Sequence, residues 1–190
     1  MKLLEDRILS EGKVLPGNIL KVGSFLNQQI DTELLAAMAD EISHLFARSG
    51  VTKIMTVESS GIALAAAAGM AMGVPVVFAK KHKTSNVDGN VYSAQAHSFT
   101  HGNDYTMVIS RDYLLPDDCI LLIDDFLAVG NAVNGMISLV EQAGACLAGA
   151  AIAIEKGFQG GGDTLRKSGI RVESLALIDS MTDSGVVFRK

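Results

Sequence analysis

Two adjacent carboxylates, Asp124 and Asp125, end an apolar run that starts at Cys119, and a short stretch of small residues follows them. The stretch, Ala128-Val129-Gly130-Asn131-Ala132, leads into a helical pattern. Backbone N–H groups at a helix N-terminus hold phosphate monoesters when small side chains allow close approach. Acids placed just before such a loop can reach hydroxyls of a sugar attached to that phosphate, where a carboxylate is a strong charged acceptor. The residues alone leave a plainer reading open, in which the acids cap the helix or sit in solvent. The loop is not a Walker A sequence, because no Lys-Ser/Thr follows its glycines, and the chain has no G-x-G-x-x-G fingerprint.

Two further apolar runs end in chemistry. "IMTVESSG" ends in Glu58 and a turn of small residues, and "VVFAKKHK" ends in Lys80 and Lys81. His97 and His101 are four apart but lack the Glu of a zinc-protease helix, so they read as loop residues, and His44 falls on the polar side of a helix. "GFQGGGD" reads as a flexible turn. Cys119 and Cys146 sit in apolar runs and read as small core residues, not as a disulfide or a metal pair.

The elements that must carry these groups show in the periodicity. Leu34, Leu35, Met38, Ile42, Leu45 and Phe46 have helical spacing, with Asp31 as cap, Glu33 suited to the first turn and Gly50 as terminator. "TKIMTVES" reads as a strand. The uncharged stretch from Ser59 to Ala79 is long enough to span a membrane. Its Gly73 and Pro75 instead divide it into a helix over 61–72 and a strand over 74–79. The segment 81–103 is polar and aperiodic, the mark of an active-site lid. "YTMVIS" and "CILLIDDF" read as strands around the turn at Pro116-Asp117-Asp118. A helix is expected over 131–143, ended by Gly144, and "CLAGAAIAIEK" and "VESLALID" complete the strands. Alternating strands and helices with nearly continuous apolar strands predict an α/β fold, an open and mostly parallel sheet with helices on both faces. Ligands bind such sheets at the carboxyl ends of strands. The 190 residues suit one domain, 1–190, with residues 1–30 packed on its edge.

Composition narrows the function. The chain is 48% apolar, 5% aromatic and carries a net charge of −5 without a polybasic block, which argues against nucleic-acid binding. No secretory h-region or cleavage site precedes the first helix pattern, so a cytoplasmic location is expected.

"LLIDDFLAVGNA" resembles the phosphoribosyl-pyrophosphate (PRPP) motif of the type I phosphoribosyltransferases. "ILKVGSFLNQQID", "ESSGI", "VVFAKKHK", "DDFLAVGNA" and "IEKGFQGGG" occur in order and look like the xanthine-accepting members of that family. The resemblance touches nearly the whole chain. It implies the family fold with a small hood from residues 1–30, and transfer of ribose 5-phosphate from PRPP to xanthine. It also implies Mg²⁺ held mainly through PRPP and water, a homodimer, and no nucleic-acid or membrane partner. By resemblance, Asp124 and Asp125 hold the ribose, and Ala128, Val129, Gly130, Asn131 and Ala132 cradle the 5′-phosphate. Ser59, Ser60, Lys80 and Lys81 receive pyrophosphate, and Leu20, Asn27, Lys156 and Phe158 meet the base. Plainer readings stand beside these: Asn27 as a turn residue, Lys156 as a solvated strand end, Phe158 as packing beneath a loop. The sequence departs from the wider family in two places. The phosphate loop lacks Thr hydroxyls, and Ser60 stands where adenine-specific relatives carry Arg. The alternatives are a guanine, hypoxanthine or adenine preference, or a non-catalytic PRPP-sensing regulator.

Overall fold

A computed structural model describes residues 1–81, 89–97, 104–182 and 185–189. Its main sheet has six strands. In chain order these are β3 (Lys53–Val57), β4 (Val76–Ala79), β7 (Cys119–Leu127), β8 (Cys146–Lys156), β9 (Val172–Thr182) and β10 (Gly185–Phe188). Their spatial order is β10-β9-β8-β7-β3-β4, parallel throughout except for the antiparallel edge strand β10. The expected α/β architecture is therefore present.

Both faces of this sheet are covered. Leu121 and Ile123 of β7, with Ala151 and Ala153 of β8, join a core under α2 (Thr32–Phe46) and α3 (Gly61–Met72). Ile120 and Leu122, with Ala150 and Ile152, join a second core under α4 (Asn131–Ala143). Alternation with period two thus places apolar residues on both faces, which explains the unbroken greasy runs. Asp31 caps α2 as expected, accepting from the Glu33 and Leu34 N–H groups. Gly73 and Gly144 end α3 and α4 in left-handed conformation, the C-terminal geometry for which glycine is suited. Among the described residues no helix is long and apolar enough to cross a membrane.

The structure corrects several sequence expectations. Part of the segment read as irregular is strand β5 (Val91–His97). It pairs antiparallel with β6 (Asp104–Ser110), so β6 forms a separate two-stranded sheet instead of joining the parallel one. Residues 82–88 and 98–103 of the expected lid, with His101, lie outside the described residues. The first thirty residues contain α1 (Lys2–Glu11), a hairpin of β1 (Lys13–Leu15) and β2 (Ile19–Lys21), and a π-helical turn, Gly23–Asn27. Leu4 and Ile8 of α1 are buried in the first core. The glycines of "GFQGGGD", expected as a flexible turn, form a 3₁₀ turn and the start of α5 (Gly161–Lys167). Cys119 is half-buried, whereas Cys146 is exposed and not a core residue; both thiols are free.

Strand order also fixes where a ligand can sit. From β3 the chain runs outward to β4, then returns to β7 on the other side of β3. The carboxyl ends of β3 and β7 flank this reversal, the usual crevice of an open α/β sheet.

Candidate active site

A cavity of about 490 Å³ opens at that crevice. Its wall includes Glu58, Ser59 and Ser60 after β3, Asp124 to Asn131 at the β7–α4 turn, and Lys156 at the end of β8. The N-terminal hairpin closes one side with Asn18 and Leu20, and β6 contributes Tyr105. Of the residues read as candidates from sequence, Lys80 and Phe158 stand outside this wall. Lys80 instead makes a backbone bridge with Val108, while Phe158 is exposed beyond the strand end. The remaining candidates meet at the cavity: Leu20, Asn27, Ser59, Ser60, Lys81, Asp124, Asp125, Lys156 and the loop 128–132.

The two acids differ in setting. Asp124 is buried, at 6% exposure, and Asp125 is half-buried. Asp124 Oδ1 accepts from the Asp125 N–H at 3.0 Å, and Asp125 Oδ2 accepts from the Asn27 side-chain amide at 3.3 Å. Burial, and then the neighbouring Asp125 charge, push the Asp124 carboxyl well above the ordinary carboxylate range. Glycine at position 61 is required here. A Cβ would fall 2.3 Å from Thr56 Oγ1 and 3.2 Å from Asp124 Oδ1, so only glycine lets α3 begin this close to the acid.

Two helices start at the cavity, α3 behind Ser59-Ser60 and α4 behind the 128–132 loop. Among the described residues neither N-cap residue makes a side-chain cap hydrogen bond. Gly130 holds the αL conformation, φ +95°, that turns the chain from β7 into α4. Each helix start offers N–H groups and the positive end of a dipole to an anion.

On the other side of the acids, Lys156 Nζ donates to the Asn18 carbonyl at 2.8 Å and lies 5.4 Å from the Phe126 ring centre. Burial pushes its ammonium below the ordinary lysine range. Lys81 Nζ lies 5.3 Å from the Tyr105 ring centre, and the Lys81 N–H donates to Glu58 Oε1 at 2.7 Å. Burial, with the Asp124 charge, raises the Tyr105 phenol. Sequence reasoning missed Phe126, Tyr105 and Asn18. Phe126 directly follows the acids, and Asn18 lies in a Pro-Gly-Asn turn signal. Tyr105 had no local signal, because the β5–β6 pairing brings it in.

The arrangement offers paired acids flanked by two helix starts, with a lysine, an aromatic ring and amide groups opposite. Among the described residues no group of three or more His, Cys, Asp or Glu side chains could hold a metal by itself.

Comparison with known proteins bears on this geometry. A model of the phosphoribosyl transferase domain matches residues 22–181. The xanthine phosphoribosyltransferase of Limosilactobacillus reuteri is 50% identical over 190 residues, covering 100% of both chains. That of Lachnoclostridium phytofermentans is 49% identical, covering 100% of this chain and 98% of its own. That of Bacillus anthracis is 50% identical, covering 99% of this chain and 95% of its own. Among solved structures, APRTase from Giardia lamblia complexed with 9-deazaadenine superposes with a TM-score of 0.77 at 22% identity. The match covers 90% of this chain and 96% of that one. Adenine phosphoribosyltransferase from Rhodothermus marinus gives 0.73 at 21% identity, covering 92% and 97%. At such identities these two likenesses speak to fold alone.

Proposed function

The chain belongs to the phosphoribosyl transferase family, and on that premise we propose that it acts in purine salvage. It transfers ribose 5-phosphate from PRPP to xanthine, giving xanthosine 5′-monophosphate and pyrophosphate. One observation carries this reading most: paired acids and the α4 helix start meet at one cavity, opposite a lysine and an aromatic ring. The relatives near 50% identity over the full chain supply the base.

The bond from ribose C1 to the pyrophosphate oxygen breaks as the bond from C1 to a purine nitrogen forms. Positive charge develops on the sugar and negative charge on the leaving group. The protein supplies positioning and electrostatic complementarity. The 128–132 loop holds the 5′-phosphate through backbone N–H groups, since it has no Thr hydroxyls. Asp124 and Asp125 accept from the ribose hydroxyls, and their field favours a cationic sugar. Ser59, Ser60 and Lys81 receive pyrophosphate. Lys156 donates to an oxygen of the base, Phe126 offers it a ring face, and Asn27 offers both a donor and an acceptor. Leu20 and the hairpin cover the base as a hood.

Mg²⁺ would be held mainly through PRPP oxygens and water, as suits an ion that prefers oxygen and keeps much of its water, since among the described residues no group of acids at the cavity would hold it alone. When bound, the ion offsets pyrophosphate charge. A cytoplasmic location and a homodimer belong to the same reading; sedimentation of the purified chain at twice the monomer mass is the expected result.

The base assignment is tested by supplying PRPP and Mg²⁺ with equimolar xanthine, guanine, hypoxanthine and adenine, and separating the nucleotides formed. Xanthosine 5′-monophosphate is expected in excess. Adenosine 5′-monophosphate as the main product rejects the base, and no nucleotide rejects the activity.

A further inference from the structure

Behind the phosphate loop the buried Glu155 pairs with the half-buried Arg166, an ion pair that the transfer chemistry does not use. Glu155 has 0% exposure. Arg166 donates to both of its oxygens, Nη1 to Oε1 at 2.9 Å and Nη2 to Oε2 at 2.6 Å, and Ser174 Oγ donates to Oε2 as well. Arg166 Nε also donates to the Val172 carbonyl at 3.2 Å, which ties α5 to β9. A charge this deep persists only when its hydrogen bonds are met, and this carboxylate has three donors.

The pair reaches the loop through two glycines. A Cβ on Gly162 would fall 2.0 Å from Glu155 Oε1, so the start of α5 lies directly against the carboxylate. On the other side, the Gly161 N–H donates to the Ala128 carbonyl at 3.1 Å. A Cβ on Gly161 would fall 2.3 Å from that carbonyl oxygen and 2.8 Å from the Gly130 nitrogen. Backbone therefore rests on backbone, with no side chain between.

We infer that Glu155, Arg166 and the Gly161-Gly162 backbone form a strut that positions the 128–132 loop for the 5′-phosphate of PRPP. The loop's backbone meets the start of α5 directly, through the Gly161 N–H on the Ala128 carbonyl and the close approach of Gly161 to Gly130, so that support from behind bears on the direction of its N–H groups. These are positioning residues, and the inference rests on the phosphate role proposed for that loop.

The test is calorimetric PRPP binding with Mg²⁺ and no base, alongside xanthine KM at saturating PRPP and the melting temperature. Gly161→Ala is expected to weaken PRPP at least tenfold while xanthine KM stays within twofold. Glu155→Gln/Arg166→Gln, which removes both charges together, is expected to weaken PRPP about fivefold with the same split. Unchanged PRPP binding in folded variants overturns the strut, as does an equal loss of PRPP and xanthine. If only the double variant folds, the same two outcomes in it decide. Wild-type protein that binds PRPP without forming nucleotide overturns the proposed reaction but leaves the strut standing. Wild-type protein that does not bind PRPP overturns both.

Discussion

The two ends of β7 treat acids in opposite ways. At the entry, Asp118 is paired with Lys53 at 2.6 Å and accepts from the Leu115 N–H at 2.8 Å, both side chains being nearly buried. At the exit, Asp124 is buried beside Asp125, and among the described residues no Lys or Arg ion-pairs with either. The strand thus begins beside an acid that stabilises the fold and ends at one, Asp124, whose buried charge costs stability. Paired, hydrogen-bonded charges are ordinary structure, whereas adjacent carboxylates left facing a cavity await a ligand.

The largest expected effect is at the exit. Asp124→Asn is expected to lower turnover by about 10²–10³-fold, the scale of losing one transition-state charge interaction. Stability should move the other way. The folded Asp124 carboxyl titrates above its unfolded value of 3.8, so its protonated form is the one the fold favours. That contribution is fully present below the unfolded value and is lost as pH rises through the folded one. The Asn variant should therefore gain melting temperature relative to wild type as pH rises above 3.8, measured by thermal scans. A variant less stable at every pH would place Asp124 with Asp118 as a structural acid.

A middle effect is expected at Lys156. Lys156→Ala should lower kcat/KM for xanthine about tenfold, the scale of one hydrogen bond to a charged donor, and should narrow the margin over adenine. Rates measured with each base check this, and an unchanged base profile rejects the role.

The smallest effect on activity is expected at the entry. Asp118→Asn should leave kcat within about twofold yet cost about 1–3 kcal/mol of stability, since it leaves Lys53 underpaired and half of a nearly buried pair is gone. Denaturant titration beside the activity assay checks it. A large loss of kcat with intact stability would erase the contrast between the two ends.

How far the sequence reveals this contrast depends on which interactions are local. The strands β3, β7 and β8, the helices α2, α3 and α4, and the acid-loop motif all show in periodicity and punctuation, because each is set by neighbours along the chain. What stayed hidden depends on pairing at a distance. Nothing in "VYSAQAH" announces that it pairs with β6, which is what carries Tyr105 to the cavity. Asn18 gains its position from the Lys156 side chain 138 residues away. The glycines of 160–162 read as flexible because their tight contacts, with Ala128 and Glu155, come from other elements. Lys80 and Lys81 look alike in sequence, but only Lys81 reaches the cavity, since Lys80 is held in a backbone bridge to β6.

The claim that the exit acids serve ribose recognition is tested most directly at Asp125, which is half-buried and held by one hydrogen bond from Asn27. The measurement is the rate of xanthosine 5′-monophosphate formation by Asp125→Asn relative to wild type, beside the melting temperature of both. A fall in rate of about 10²-fold or more with the melting temperature nearly unchanged is the predicted result. A rate that falls only in proportion to lost stability contradicts it.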